Sequence, residues 1–146
     1  MPASRGICEF WRRYLDGIPP YLAQRYWWAY LARPGVWFFD HALIIDAILF
    51  GHYAELMQAA LTALDPARST LMIASVYGRL IPELVLKLKQ PLVLVDVAPI
   101  QLELAARKIA RTGKKAYLVR SNAEALGLST GAFAQALVFF LWHEMP

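Results

Sequence analysis

Apolar and polar positions divide the chain into two differently patterned halves. Before a turn-rich stretch at 65–69, apolar residues recur at helical spacing, and after it short apolar runs alternate with helical patterns. The first half predicts helices over 21–31, 36–50 and 53–64, with a break at Arg33-Pro34-Gly35 between the first two. We therefore expect two units, a helical lid over residues 1–65 and an α/β core over residues 66–146.

The second half predicts four strands, over 71–76, 92–95, 116–119 and 136–141, with helices over 80–89 and 99–111. The apolar runs lack polar alternation, which is typical of a parallel sheet covered on both faces by helices. We predict an α/β fold with a Rossmann-like parallel sheet and a ligand crevice at the carboxyl ends of its strands. Because the chain stops soon after the fourth strand, we expect this sheet to be truncated.

Composition and charge narrow the function classes. The chain is 58% apolar and carries a net charge of +4, but its basic residues are scattered, so nucleic acid is not a predicted partner. A single cysteine, Cys8, excludes an internal disulfide and suits a reducing cytosol. No signal peptide or uninterrupted spanning segment is predicted. The high apolar share indicates a membrane-facing or uncovered surface, so we expect a cytoplasmic protein with peripheral membrane contact.

Asp96 is the strongest candidate for a binding residue. Two carboxylate oxygens at the end of the second strand suit the two hydroxyls of a ribose, although an acid here also suits a turn cap before Pro99. The turn after the first strand would lie beside it, and its residues are Ala74, Ser75, Val76, Tyr77 and Gly78. With a single glycine, this turn is not a GxGxxG motif, which argues against a dinucleotide and favours an adenosyl cofactor without phosphates.

Three further groups of residues keep two interpretations each. Ser121, Asn122 and Ala123 follow the third strand, where they either contact an adenine edge or cap a turn. His143 and Glu144 follow the fourth strand, as a general base or metal ligands on one interpretation and as a solvated chain end on the other. The aromatic residues at 26–30 and 37–39 form a substrate pocket or membrane belt, or pack in the core.

Together these features resemble the class I S-adenosylmethionine-dependent methyltransferases, and most closely the rhodoquinone-biosynthesis methyltransferase-like family (RquA). The resemblance extends from about Pro19 to the end. Its most specific parts are the turn Val76-Tyr77-Gly78 and the ending His143-Glu144-Met145-Pro146. The chain departs from the pattern at Met72 and Arg79, where acidic residues are expected, and the family continues beyond this ending.

The resemblance implies S-adenosylmethionine bound over the first two strands, with Asp96 on its ribose, the 74–78 turn near its methionine part, and Val97 and Gln101 nearby. It also implies a prenylated quinone as substrate beneath the lid, contacted by Tyr26, Trp27, Tyr30 and Trp142. Family members exchange a ring methoxy group for an amino group, with S-adenosylmethionine as nitrogen donor and a manganese ion. Two alternatives remain: methyl transfer to another lipophilic acceptor, and a non-catalytic remnant that binds a protein partner or itself through an exposed sheet edge.

Overall fold

The computed structural model describes residues 17–19, 24 and 27–139, apart from the side chains of residues 29, 30 and 42. Its helices and strands lie along the chain in the following order: α1 (Trp27–Tyr30), α2 (Arg33–Phe39), α3 (Ala42–Ile48), α4 (Tyr53–Ala63), β1 (Thr70–Ile73), α5 (Leu80–Lys87), β2 (Leu92–Asp96), α6 (Pro99–Ala110), β3 (Ala116–Arg120) and β4 (Gln135–Val138). Helices therefore occupy the first half, and strands and helices alternate from β1 to β3.

The four strands form one sheet in the order β3-β2-β1-β4, and all three neighbouring pairs are parallel. The predicted α/β fold with a parallel sheet is thus confirmed. β1 is central and pairs with β2 on one side and β4 on the other. β2 and β3 follow one another on one side of β1, whereas β4 pairs with the other side of β1. Ligand crevices in open sheets of this type occur at such a switch in strand order, here between β1 and β4.

One apolar cluster holds the sheet and the helices together. Met72, Leu92 and Leu94 on the strands are fully buried, and they pack in this cluster with Leu80, Ile81 and Leu84 of α5. Tyr53, Met57 and Leu61 lie one turn apart on α4 and belong to the same cluster. The helical half and the α/β half therefore share a core, which fixes α4 against the turn that follows β1.

The single helix predicted over 36–50 is wrong, because the chain leaves the helix at Asp40 and His41. His41 has an extended backbone (φ −73°, ψ 125°) between α2 and α3. The Asp40 carboxylate accepts a hydrogen bond from Gly78 N and pairs with Lys108, so contacts with the α/β half favour this interruption. The predicted end of the first helical segment before Arg33 is confirmed, because the chain leaves the helix at Leu31 and Ala32. Residues 33–35 do not form the break, since Pro34 lies in the first turn of α2, where its missing N–H costs nothing.

The predicted ends of β1 and β4 extend beyond the observed strands. β1 stops at Ile73 because Ala74 adopts a left-handed backbone (φ 68°), although Ala74 N still donates to Val95 O at 2.8 Å. β4 ends at Val138. Among the described residues, no helix combines the length and apolar character needed to cross a membrane.

Candidate functional site

The candidate site lies where the carboxyl ends of β1 and β2 meet. Asp96, the last residue of β2, is buried, and both of its carboxylate oxygens accept backbone hydrogen bonds. Oδ2 accepts from Ser75 N at 2.7 Å and Oδ1 from Ala98 N at 2.8 Å. Asp96 therefore ties the turn after β1 to the start of α6.

Ser75 carries an unusual hydroxyl group. The residue is 8% exposed, and its Oγ is buried without a hydrogen-bond partner within the described part of the chain. A buried hydroxyl without a partner costs about 1–3 kcal/mol, so natural proteins rarely keep one without a reason. The neighbouring Ala74 holds a left-handed backbone that is unfavourable for a residue with a Cβ atom. Unsatisfied polar atoms and strained backbone together are typical of ligand sites.

Tyr77 and Gln101 form the side of the site nearest α6. Gln101 is 2% exposed, and its Nε2 donates to Tyr77 Oη at 2.8 Å. The Tyr77 ring stacks on Phe39 of α2, with ring centroids 6.3 Å apart and planes at 25°. Phe39 in turn contacts Trp28 of α1. A line of aromatic rings thus leads from the helical half to the turn after β1.

Gly78 is the point of closest approach between the turn and the helical half. It has φ +81°, and a Cβ atom built on it would lie 2.7 Å from Tyr53 Cζ. This proximity lets the Tyr53 hydroxyl accept hydrogen bonds from Arg79 N at 2.8 Å and Leu80 N at 3.1 Å, the first amides of α5. Burial raises the pKa of Tyr53, and the hydrogen bonds from Leu80 and Arg79 oppose the shift.

Lys108 brings a largely buried positive charge to the same turn. Its Nζ pairs with Asp40 and donates to Gly78 O at 2.9 Å, while its side chain is only 12% exposed. Burial lowers the pKa of Lys108, and the hydrogen bond and charge of Asp40 oppose this shift. The turn at 77–80 is therefore held by three side chains from different elements, Asp40, Tyr53 and Lys108.

The residues after β3 close their own turn. Ser121 N donates to Asp96 O at 3.1 Å, which places the start of this turn beside β2. The Ser121 hydroxyl donates to Leu126 O at 3.0 Å, and Asn122 Oδ1 accepts from Glu124 N at 3.0 Å. These bonds are those of the turn-capping interpretation, one of the two that the sequence left open, and Ala123 lies within the turn.

The structure describes some of the remaining predicted site residues and leaves four outside its described ranges. Val97 lies between Asp96 and Ala98 and packs against the cluster of Leu31, Val36 and Ile100. Trp27 is exposed on α1, and Tyr30 belongs to the same helix by its backbone. The other four lie outside the described residues: Tyr26, Trp142, His143 and Glu144. Across the described ranges, no group of three or more His, Cys, Asp or Glu side chains is arranged to hold a metal ion.

Asp40, Tyr53 and Lys108 also belong to this site, but none of them was predicted as a site residue from the sequence. One signal was available for Lys108, which lies on the helix face of α6 that also carries Gln101, Ala105 and Ile109. A lysine on an otherwise buried face indicates an internal partner. Asp40 and Tyr53 gave no comparable signal, because their contacts lie 38 and 26 residues away along the chain.

A groove of about 460 Å³ lies beside the site, between α2 and α6. Val36, Ile100 and Leu104 supply apolar lining, and Arg33 and Arg107 supply positive charge. Trp37, one of the aromatic residues considered for a substrate pocket, also lines this groove, whereas none of the predicted cofactor-binding residues does.

Comparisons with protein-family models, curated proteins and solved structures found no match to this chain.

Proposed function

We propose that this protein binds S-adenosylmethionine at the carboxyl ends of β1 and β2 and acts as a methyltransferase-like transferase on a lipophilic quinone. The observation that carries the proposal is the buried Ser75 hydroxyl, which lacks a partner in the described residues. The backbone N–H of the same residue donates to the Asp96 carboxylate. A ligand hydroxyl or amino group would supply the missing hydrogen bond. The parallel sheet supports the same cofactor class, since adenosyl groups bind at this end of such sheets.

The residues present fit an adenosyl group. The Asp96 carboxylate would accept hydrogen bonds from ribose hydroxyls, Ser75 would bond a polar cofactor atom, and the turn at 121–123 would lie near the base. Tyr77, held by Gln101 and Phe39, would orient the part of the cofactor that faces the aromatic helices. When bound, S-adenosylmethionine supplies an electrophilic sulfonium group. The residues of this chain would position that group and exclude water from it.

The distribution of exposed apolar side chains supports a lipophilic substrate. Eight of the ten large apolar side chains that stand exposed in the described residues belong to α1–α4 and the segments between them: Trp27, Trp28, Trp37, Phe38, Leu43, Ile48, Phe50 and Leu56. Patches of this kind mark membrane or partner surfaces, and tryptophan favours the membrane interface. We therefore propose peripheral contact with a membrane, from which a prenylated quinone would reach the aromatic residues beside Tyr77.

The reaction proposed follows the family resemblance: exchange of a ring methoxy group for an amino group, as in rhodoquinone biosynthesis, with manganese as a further requirement. His143 and Glu144 are the residues proposed for proton transfer or metal binding. Methyl transfer to another small lipophilic acceptor is the alternative within the same cofactor class. Assays with ubiquinone, S-adenosylmethionine and manganese, analysed by mass spectrometry, would distinguish an amino product from a methylated one.

The first experiment titrates the protein with S-adenosylmethionine and with S-adenosylhomocysteine by calorimetry. Ser75→Ala is the sharpest variant, because in the unliganded protein its hydroxyl stabilises nothing. We expect Ser75→Ala to keep or slightly raise the melting temperature while weakening cofactor affinity about two- to tenfold, the value of one neutral hydrogen bond. Ser129→Ala, an exposed serine, is the matched control and should change neither quantity.

Asp96→Ala is a second variant with a different expected signature. It should abolish binding and also destabilise the protein, because Ser75 N and Ala98 N would lose their acceptor. A folded wild type that shows no saturable heat with either ligand would contradict the proposal.

The exposed apolar surface also favours a second candidate, a non-catalytic protein that binds a partner or itself. Analytical ultracentrifugation at increasing protein concentration tests this candidate. Self-association of a wild type that does not bind S-adenosylmethionine would support it.

A further inference from the structure

The turn at 78–80 presents three consecutive backbone N–H groups, as phosphate sites do. In this protein, side chains of the same chain accept the hydrogen bonds from these groups. Gly78 N, Arg79 N and Leu80 N are the amides at the start of α5, the first helix after the central strand. Amides in this position bind phosphate groups in many open α/β sheets. Here Gly78 N donates to Asp40 Oδ1 at 3.0 Å, and the other two donate to the Tyr53 hydroxyl.

Lys108 completes the likeness to an anion site. Its ammonium group lies against both Asp40 and Gly78 O and is largely shielded from water. A backbone amide and a lysine that converge on one carboxylate are the donors that would converge on a phosphate oxygen. The Asp40 carboxylate thus takes the place of an external anion, and it comes from α2's end in the helical half.

We propose that Asp40 is a specificity-determining residue that rejects phosphate-bearing ligands from the crevice. A diphosphate would have to displace the Asp40 carboxylate from Gly78 N and Lys108, or bind beside that carboxylate, which carries the same sign of charge. Both routes are unfavourable in a partly buried site. This inference rests on the proposed function, because it concerns which cofactors the crevice binds. The crevice binds an adenosyl group without phosphates and does not bind nucleotides such as ADP.

The test uses inorganic pyrophosphate as the probe, so that it does not depend on S-adenosylmethionine binding. Wild type, Asp40→Ala and the control Asp46→Ala are titrated with pyrophosphate by calorimetry, after circular dichroism confirms folding. We expect Asp40→Ala to bind pyrophosphate at least tenfold more tightly than wild type, because it frees Gly78 N and removes the carboxylate that is paired with Lys108. Asp46→Ala removes the same charge from α3, outside the turn, and should behave as wild type.

A double variant locates the gained binding. Asp40→Ala with Lys108→Met should lose the gain, because the ammonium group that would hold the anion is gone. If Asp40→Ala does not fold, Asp40→Ser replaces it, since a serine at this position is neutral and shorter. A folded Asp40 variant with wild-type pyrophosphate affinity, or a wild type that already binds pyrophosphate tightly, would overturn the inference.

A parallel titration separates this inference from the proposed function. We expect wild type to bind S-adenosylhomocysteine but not ADP, and the ratio of their affinities to shift at least tenfold towards ADP in Asp40→Ala. If wild type binds neither ligand while Asp40→Ala gains pyrophosphate, the proposed function fails and the role of Asp40 stands. If wild type binds S-adenosylhomocysteine and the variant gains no pyrophosphate affinity, the role of Asp40 fails alone.

Discussion

At the scale of single residues, Gly78 cannot accept a side chain unless its neighbours move. Gly78 and Gly113 share a positive φ, +81° and +69°, but only Gly78 has atoms within 4 Å of the place where a Cβ would lie. Gly78→Ala and Gly113→Ala therefore incur similar backbone strain, and their difference reports the clash with Tyr53. We expect Gly78→Ala to be about 1–3 kcal/mol less stable than Gly113→Ala in urea denaturation.

The same comparison has a functional side. Since the clash displaces either the turn or Tyr53, Gly78→Ala should also weaken the proposed binding of S-adenosylmethionine, whereas Gly113→Ala should leave it unchanged. Equal free energies of unfolding for the two variants would show that Tyr53 does not pack against the Cα of Gly78.

The sequence predicted the residues of the site that are close to a strand end, and only those. Asp96 and Ser75 follow buried apolar runs, and parallel strands bring their carboxyl ends to one edge, so their proximity follows from the pattern. The bonds between Asp96 and the amides of Ser75 and Ala98 could not be predicted, because they depend on turn geometry. Asp40 and Tyr53 escaped prediction because their contacts join distant parts of the chain.

At the scale of elements, Tyr53 joins α4 to the start of α5. Its hydroxyl accepts the hydrogen bonds from two amides that a helix cannot satisfy internally. Tyr53→Phe keeps the ring packing and removes this acceptor. We expect it to lower the free energy of unfolding by about 1–2 kcal/mol. Tyr117→Phe, at an exposed tyrosine on β3, is the matched control and should have little effect in the same denaturation experiment.

Alkaline pH gives Tyr53 a second signature. Burial raises its pKa in the folded protein above 10.0, so the folded state favours the neutral phenol. The Tyr53 hydroxyl therefore contributes fully to the free energy of unfolding below pH 10, and this contribution is lost as the pH rises through the pKa of Tyr53 in the folded protein. Lys108 acts oppositely: its pKa is lowered, so its contribution to stability rises with pH up to the unfolded value of 10.5.

Because both proteins keep Lys108, its effect should largely cancel when wild type and Tyr53→Phe are compared. Their stability difference, measured by denaturation at several pH values, should therefore shrink above about pH 10. A difference that stays constant into that range would contradict the buried, hydrogen-bonded hydroxyl.

The strands and the α/β helices were predicted more accurately than the helices of the first half. α5 and α6 begin at the predicted residues, because Gly78 and Pro99 mark their starts locally. The division between α2 and α3 is not marked in this way. It follows an interaction of Asp40 with Gly78 and Lys108, and apolar periodicity carries no information about such a contact.

At the scale of the whole molecule, the two halves differ in how completely they bury apolar side chains. The sheet and its helices leave Leu86 and Tyr117 as their exposed large apolar residues within the described ranges, whereas the helical half leaves eight. The high apolar share of the chain indicated an exposed apolar surface, but it could not predict which side chains would be exposed. The sheet order, with β4 beside β1, likewise follows from long-range pairing and not from local pattern.

The exposed apolar surface of the helical half leads to a prediction for membrane binding. Leu43 is 79% exposed and Phe50 is 89% exposed, and Phe50 also holds a left-handed backbone (φ 52°) that asparagine adopts more readily. The double variant Leu43→Ser with Phe50→Asn should therefore keep or raise stability. If this surface contacts lipid, the variant should bind vesicles of phosphatidylcholine and phosphatidylglycerol at least about tenfold more weakly in sedimentation assays.

Leu86→Ser is the matched control, because Leu86 is also exposed but belongs to α5 in the α/β half. It should bind vesicles as wild type does. Equal vesicle binding by all three proteins would remove the membrane contact from the proposed function, and a quinone would then have to reach Tyr77 from solution. Loss of binding in the double variant alone would place the lipid contact on the helical half, which also carries Phe39 and Asp40, the residues that touch the turn after β1.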